Sequence, residues 1–235
     1  MGKMTTENFI EFAHSQLSLI ENDLGEVVYS AANTLKKGKY YFLGLNPGGD
    51  GFTSIRKHLN EFPMQTTNSF FDKKWKTSLK NYEKGQNPLQ IRIQYLFKEL
   101  LHYNLRDIFA TNLIFKTTKN SNTLNFGLAG LCWAVHLFAL NIIQPEIIVT
   151  CGNEKGKSAF YFISDLYSND NNKEKNFIKY ELQGTFAIKV SEVEIQNRRT
   201  LLIGLPHLSR YEIQGNELFN KRLKEIAEKY PWINS

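Results

Sequence analysis

The chain has 235 residues, a formal net charge of +6 and an apolar content of 42%. This length suffices for one large α/β domain, so we expect a single domain over residues 1–235. The composition is that of an ordinary globular protein and excludes a disordered chain. No apolar stretch approaches the ~20 residues that span a bilayer, and the first 20 residues lack a signal-peptide core. We therefore expect a cytoplasmic protein, a monomer with no membrane partner.

Cysteine content and charge restrict the chemistry further. The two cysteines, Cys132 and Cys151, form no CxxC pair, which excludes a zinc site or an iron–sulfur cluster built from cysteine alone. Both lie in apolar runs, so we expect inert buried thiols and neither a metal nor an organic cofactor. The excess of lysine and arginine favours a polyanionic partner without identifying it.

The hydrophobic pattern alternates between helical and strand periods along the chain, which is typical of βαβ units. Helices are predicted at 5–24, 27–36, 70–82, 89–103, 128–143, 154–167 and 216–230, and parallel strands at 40–45, 107–113, 146–151 and 200–205. A long loop is expected over 46–69, and a hairpin over 177–195. We therefore predict a three-layer α/β/α sandwich with a central four-stranded parallel sheet and a small antiparallel insertion near 176–196.

Two of the predicted strands end in motifs that carry polar side chains. The first strand runs into Gly44-Leu45-Asn46-Pro47-Gly48, and the last into Pro206-His207-Leu208-Ser209-Arg210. Asn112 ends the second strand. Because ligands of open α/β sheets bind at the carboxyl ends of the strands, we expect these side chains to meet in one site.

These motifs, in this order, resemble those of the uracil-DNA glycosylase superfamily, closest to its mismatch-specific and single-strand-selective branches. The resemblance spans residues 38–230 and implies a DNA glycosylase that excises uracil or a related damaged pyrimidine, with DNA as its partner. It departs from the family at Leu208 and Arg210, where prolines are usual. The altered motif leaves open a non-catalytic nucleic-acid-binding protein that keeps the fold.

The chemistry of base excision assigns a role to each motif residue. His207 is the expected donor to the leaving base, and Asn46 the expected holder of the attacking water. The Asn112 carboxamide matches the O4 and N3–H edge of uracil and mismatches cytosine. The remaining expected contacts are with the substrate through Gly44, Leu45, Pro47, Gly48 and Phe62, and with DNA through Ser209, Arg210 and Tyr211.

For several positions the sequence leaves more than one role open. The resemblance implies a phenylalanine that stacks on the extruded base, and Phe62 is the first candidate. Phe52, Phe70 and Phe71 are the alternative candidates for this role. Phe62 has a second interpretation, in which its side chain belongs to the apolar core. Tyr211 and Ile213 are candidates for a wedge that fills the duplex where the base departs.

The segment from Gly152 to Ser158 resembles a phosphate-binding loop. It has three residues between its glycines where the motif needs four, so an NTPase is the weaker alternative. An ordinary helix N-cap at Asn153 explains the segment better.

Overall fold

The computed structural model describes residues 5–48, 53–76, 80–118, 123–167 and 177–234. Within these ranges the helices are α1 (Thr6–Leu17), α2 (Ile55–Glu61), α3 (Ser69–Asp72), α4 (Pro88–Tyr95), α5 (Leu128–Ile143), α6 (Ala159–Leu166) and α7 (Glu217–Lys229). The strands are β1 (Tyr40–Gly44), β2 (Phe109–Asn112), β3 (Ile147–Cys151), β4 (Ile178–Glu181), β5 (Ala187–Ile195) and β6 (Arg198–Leu205). A π-helical turn, Leu96–Leu100, extends α4.

The strands form one mixed sheet in the order β2-β1-β3-β6-β5-β4. The four predicted strands β2, β1, β3 and β6 are parallel, as expected. The prediction of a four-stranded sheet is wrong, because β5 and β4 continue the same sheet as antiparallel strands. The reason lies between β5 and β6, where Gln196 and Asn197 have φ of 53° and 61°. Two consecutive residues of positive φ make a tight hairpin turn, which folds β5 back onto β6.

Alternation along the strands divides the core between the two faces of the sheet. Tyr41 and Leu43 of β1 point to one face, where they belong to a buried cluster that includes residues of α1 and α5. Tyr40 and Phe42 point to the other face, where residues of the α4 region and α7 complete a second cluster. The chain is therefore an α/β protein with helices on both faces of the sheet, and we call the second face the α4 face.

Three predicted segments differ from the structure. Residues 27–36 are not a helix, because Val28 pairs with Thr111 beside β2 and only a 3₁₀ turn, Ala32–Thr34, follows. The predicted loop 46–69 contains α2, which the Ser54 hydroxyl caps by accepting the Lys57 N–H. Of the described residues in the predicted helix 70–82, only those of α3 are helical.

The other helices lie within or next to their predicted ranges, although α1 ends at Leu17 instead of residue 24 and α6 begins at Ala159 instead of residue 154. Helix α5 matches its predicted range, 128–143, and ends where Gln144 takes a left-handed conformation immediately before Pro145. None of the described helices combines the length and the apolarity that a membrane crossing requires.

Candidate active site at the carboxyl edge of the sheet

The carboxyl ends of the four parallel strands lie side by side, and three of the predicted site residues extend from them. Asn112 ends β2 in register with Gly44 of β1, and Cys151 of β3 pairs with Leu205 of β6, two residues before His207. Strands are about 4.8 Å apart, so β2 and β6 are separated by roughly 14 Å across β1 and β3. This spacing is between the strand backbones at the two ends of the parallel part of the sheet.

Asn46 follows β1 in a turn that is fixed to the segment after β2. Its Nδ2 donates to the Pro47 carbonyl and to the Thr118 hydroxyl, both at 2.9 Å. The Leu113 N–H also donates to the Gly44 carbonyl at 2.9 Å. Because the amide uses its hydrogens within the turn, the Oδ1 atom is the part of Asn46 that remains to accept a hydrogen bond from a water molecule.

Position 44 has no room for a side chain, because Asn112 of the neighbouring strand fills the space. A Cβ at Gly44 would collide with Oδ1 of Asn112, so the carboxamide lies directly against the β1 backbone. Asn112 itself is 8% exposed. Glycine at this position therefore lets a nearly buried carboxamide lie across the end of β1, where a ligand above the strand can meet it.

His207 presents a defined nitrogen to the edge of the sheet. The Ser209 backbone N–H donates to Nδ1 at 3.3 Å, and the Ser209 hydroxyl lies 2.7 Å from the same atom. A backbone N–H can only donate, so Nδ1 accepts and the neutral ring carries its hydrogen on Nε2. The ring leans over the end of β3, since Cδ2 would be 3.5 Å from a Cβ at Gly152. Nε2–H is therefore the hydrogen-bond donor that the neutral ring offers.

The environment of His207 favours the neutral form. Burial lowers the pKa of this imidazole; the Glu154 carboxylate opposes that shift, while Arg210 adds to it. The loop that carries the ring is fixed from the α4 face, where Arg92 donates to the Leu208 carbonyl at 2.7 Å and pairs with Glu212. The ring is therefore held as a neutral donor, which can stabilise negative charge without first losing a proton.

The aromatic side chains at the site differ from the expectation. Phe62 is fully buried on the opposite face, with its ring 5.8 Å from that of Phe9, so it has no face free for a base and its stacking role is wrong. The aromatic residues on the α4 face near Asn112 are Tyr29, Phe70 and Trp75, whose ring centroids lie 5.7–6.4 Å apart. We call these three the Tyr29–Phe70–Trp75 cluster.

Only one ring of that cluster has substantial access to solvent. Phe70 and Tyr29 are buried, whereas Trp75 is half-buried. Of the other rivals, Phe71 packs under the guanidinium of Arg106, 4.5 Å from its ring centroid, and Phe52 lies outside the described residues. Trp75 is thus the most exposed ring of the cluster.

The expected DNA contacts divide into exposed and buried residues. Ser209 and Arg210 are exposed, and Ser209 also holds the His207 ring. Tyr211 is 5% exposed, with its ring 4.9 Å from that of Phe186, and Ile213 is fully buried. The prediction that Tyr211 contacts DNA, and that it or Ile213 forms a wedge, is therefore wrong, because both side chains belong to the core.

A cavity of about 790 Å³ lies beyond β6, on the side away from β2. It is bounded by the β4–β5 turn and residues 211–218, and none of Asn46, Asn112 and His207 lines it. Its wall includes the carboxylates of Glu212 and Glu217. Two carboxylates repel a phosphate backbone, so this cavity does not suit a nucleic-acid strand.

The segment resembling a phosphate loop has structural roles instead. Helix α6 begins at Ala159, and Ser158 is its N-cap, so the prediction that Asn153 caps this helix is wrong. Asn153 is buried, and its Nδ2 donates to the carbonyls of Ala187 and Gly204, at 2.8 and 2.7 Å. Its side chain therefore ties β5 to β6 across the sheet.

The thiols and the acidic side chains offer no metal site. Cys132 and Cys151 are buried and free, and burial raises the pKa of each to about 12, so both thiols stay protonated and inert as expected. Among the described residues, no group of three or more His, Cys, Asp and Glu side chains is placed to hold a metal ion.

Sequence reasoning missed three residues that shape the site: Tyr29 and Glu26 beside Asn112, and Thr118 under the Asn46 turn. Tyr29 lies within the predicted helix 27–36 and Glu26 lies directly before it, so the sequence did not indicate that both residues run alongside β2. The β-branched pair Val27-Val28 was the available signal for an extended segment. Thr118 carried no sequence signal, because its role depends on a turn 70 positions away.

Comparison with models of protein families and with curated proteins finds no match.

Proposed function

We propose that the protein is a monofunctional DNA glycosylase that hydrolyses the N-glycosidic bond of uracil or a related damaged pyrimidine. The observation that carries the proposal is that Asn112 and a neutral, Nε2–H-bearing His207 both lie at the carboxyl edge of the parallel strands. The helices on both faces agree with the three-layer α/β/α sandwich of the proposed family. DNA as partner, action as a monomer and a cytoplasmic location belong to the same proposal.

The reaction requires stabilisation of negative charge on the departing base. As the glycosidic bond breaks, the electron pair leaves with the base, and the sugar gains oxocarbenium character. The Nε2–H of His207 donates to a pyrimidine carbonyl oxygen, where this charge develops, and the Asn112 carboxamide bonds the O4 and N3–H edge. A neutral amide is a poor base, so Asn46 Oδ1 only orients the water that attacks the anomeric carbon. The proton that this water loses passes to the anionic base or to solvent, which gives the sugar hydroxyl and the free neutral base.

An excision assay tests the proposal. The full chain is incubated with a uracil-containing oligonucleotide, and abasic product is measured after alkaline cleavage. Replacing His207 by Ala removes the donor, and we expect the rate to fall by about 10²–10³. His102→Asn is the matched control, because His102 is exposed near the amino end of β2 and its φ of 50° suits asparagine. Equal rates for the wild type and His207→Ala contradict the proposal.

One observation favours the second candidate, a nucleic-acid-binding protein without catalysis. Asn46 Nδ2 donates to the Pro47 carbonyl of its own turn and to the Thr118 hydroxyl after β2, which is also what a purely structural asparagine provides. Oligonucleotide binding with no abasic product, even at enzyme in excess over substrate, supports this candidate and excludes the glycosylase.

A further inference from the structure

A carboxylate follows β3, the parallel strand from which no predicted site residue extends. Glu154 is exposed and comes three positions after Cys151, the last residue of β3. Because β3 lies between β1 and β6, the side chains at or after the four strand ends are, in sheet order, Asn112, Asn46, Glu154 and His207. Glu154 is therefore placed between the Asn46 turn and the loop of His207 in the order of the sheet.

The Glu154 carboxylate and the His207 imidazole approach the same point above Gly152. A Cβ at Gly152 would be 3.3 Å from Oε2 of Glu154 and 3.5 Å from Cδ2 of His207. Gly152 has a φ of 97°, a conformation that favours glycine, and without a side chain there both groups border one small space. Burial lowers the pKa of His207 and the Glu154 carboxylate opposes this shift, which agrees with a negative charge close to the ring.

The backbone that leads to Glu154 is held by neighbouring strands. The Gly152 N–H donates to the Leu205 carbonyl at 3.0 Å. The carbonyl of the next residue, Asn153, accepts a hydrogen bond from the Lys189 ammonium at 2.8 Å. The two residues before Glu154 are thus fixed to β6 and β5, so its side chain starts from a defined position, as a group that acts on a substrate requires.

Glu154 is also the available carboxylate at this edge of the sheet. The described segments that follow the four parallel strands are 45–48, 113–118, 152–158 and 206–216. They contain two carboxylates, Glu154 and Glu212. Glu212 is paired with Arg92, whereas no salt bridge joins Glu154 to another residue in the described part of the chain. An exposed carboxylate without a cationic partner can accept a proton and return it to solvent.

We propose that Glu154 is the general base of the reaction, an inference that rests on the function proposed above. Asn46 orients the attacking water but, as a neutral amide, does not take its proton. As the water oxygen bonds to the anomeric carbon, the glycosidic electron pair leaves with the base and the water proton moves to a carboxylate oxygen of Glu154. The resulting carboxylic acid releases this proton to solvent, from which the anionic base takes one.

The test compares Glu154→Gln with Glu228→Gln in the full chain, since each replaces one exposed carboxylate by an amide of similar shape. Glu228 is near the end of α7, and the following Trp232 packs against Arg199 at the start of β6, away from the carboxyl edge. The rate of uracil excision from a single strand is measured with enzyme in excess. We expect the rate to fall at least about 100-fold in Glu154→Gln and to stay within twofold of the wild type in Glu228→Gln.

Chemical rescue distinguishes a base from a residue that only supports the loop. In Glu154→Ala, sodium formate supplies a small carboxylate that can occupy the vacated position. We expect formate to raise the excision rate of this variant at least tenfold above the rate in an equal concentration of sodium chloride. His207→Ala lacks a hydrogen-bond donor and not a base, so formate should leave its rate unchanged.

Each outcome decides between the inference and the function on which it rests. An active wild type with an equal rate in Glu154→Gln overturns the inference and leaves the glycosylase in place. A Glu154→Ala variant that formate does not accelerate also overturns the inference. A wild type that excises no uracil overturns both the proposed function and the role of Glu154.

Discussion

Glycine at position 44 has a direct consequence for the site, because the space that a side chain would need is filled by Asn112. The Gly44→Ala variant must push the carboxamide away from β1, and we expect uracil excision to fall at least about 100-fold, comparable to the loss of one transition-state contact. Gly38→Ala is the control, since a Cβ there meets the Lys36 carbonyl oxygen and the Ile143 side chain only at ordinary contact distances of 3.7 and 3.9 Å. Wild-type activity in Gly44→Ala would mean that uracil excision does not depend on the position of the Asn112 carboxamide against β1.

Trp75 is the residue of the aromatic cluster that a base can approach. Stacking on an aromatic side chain contributes about 1–3 kcal/mol per base, so we expect Trp75→Leu to weaken binding of a uracil-containing single strand by about tenfold or more. Fluorescence anisotropy of a labelled oligonucleotide measures the affinity. Trp232→Leu removes a half-buried tryptophan that packs under the Arg199 guanidinium, and it serves as the control. Equal losses of affinity in the two variants argue against stacking at Trp75.

At the scale of elements, the close packing of α6 on β6 supports the loop that carries His207. A Cβ at Gly204 would collide with the Phe160 ring. We expect Gly204→Ala to lower the free energy of unfolding by about 1–3 kcal/mol, because a packed core resists added volume. Gly130 is an exposed position of α5 with open space around an added Cβ, so Gly130→Ala is expected to raise the free energy of unfolding by about 0.5–1 kcal/mol. Urea denaturation of both variants measures the difference, and a stabilising Gly204→Ala refutes the packing argument.

Elements with strong periodicity were predictable, and those defined by distant partners were not. Helix α5 and the four parallel strands follow from apolar runs with clear stop signals such as Pro145. The segment 27–31 is extended because Val28 pairs with Thr111, a contact that no local pattern contains. Similarly, β5 joins the main sheet through the positive φ of Gln196 and Asn197, residues with only moderate turn preference.

The same distinction applies to the site. The placement of Asn46, Asn112 and His207 at one edge of the sheet was predictable, because each lies at or just after the end of a parallel strand. Phe62 was not, because a loop sequence does not show which face of the sheet its aromatic side chains reach. Tyr211 and Ile213 illustrate the same limit, since both follow the second motif directly yet turn into the core.

At the scale of the whole molecule, the protein contains a buried imidazole that responds to pH. His136 accepts at Nδ1 from the Tyr41 hydroxyl at 2.8 Å, and its Nε2 donates to the Leu113 carbonyl at 3.1 Å. Burial lowers the pKa of His136 to about 4, although the backbone carbonyls oppose the shift. The folded ring is therefore neutral at pH values where the unfolded chain already binds a proton.

This linkage predicts how stability depends on pH. The contribution of His136 is complete above pH 6.5 and is lost as the pH falls towards 4, at about 1.4 kcal/mol per unit, or about 3 kcal/mol in total. Chemical denaturation at pH 7, 6, 5 and 4 measures the free energy of unfolding. His136→Gln keeps polar atoms without a titrating ring, so its curve should lack this component. Parallel curves for the two proteins would show that His136 does not titrate differently in the folded chain.

The proposed function requires that one nucleobase binds between Asn112 and His207 at the carboxyl edge of the sheet. A crystal structure with a single strand that contains 2′-fluoro-2′-deoxyuridine is the decisive measurement, because the electron-withdrawing fluorine slows formation of the oxocarbenium-like sugar. We predict that the uracil ring lies within hydrogen-bond distance of the Asn112 carboxamide and of Nε2 of His207, with Trp75 near its face. A uracil bound elsewhere on the protein, or one that reaches only one of these two side chains, would contradict the account.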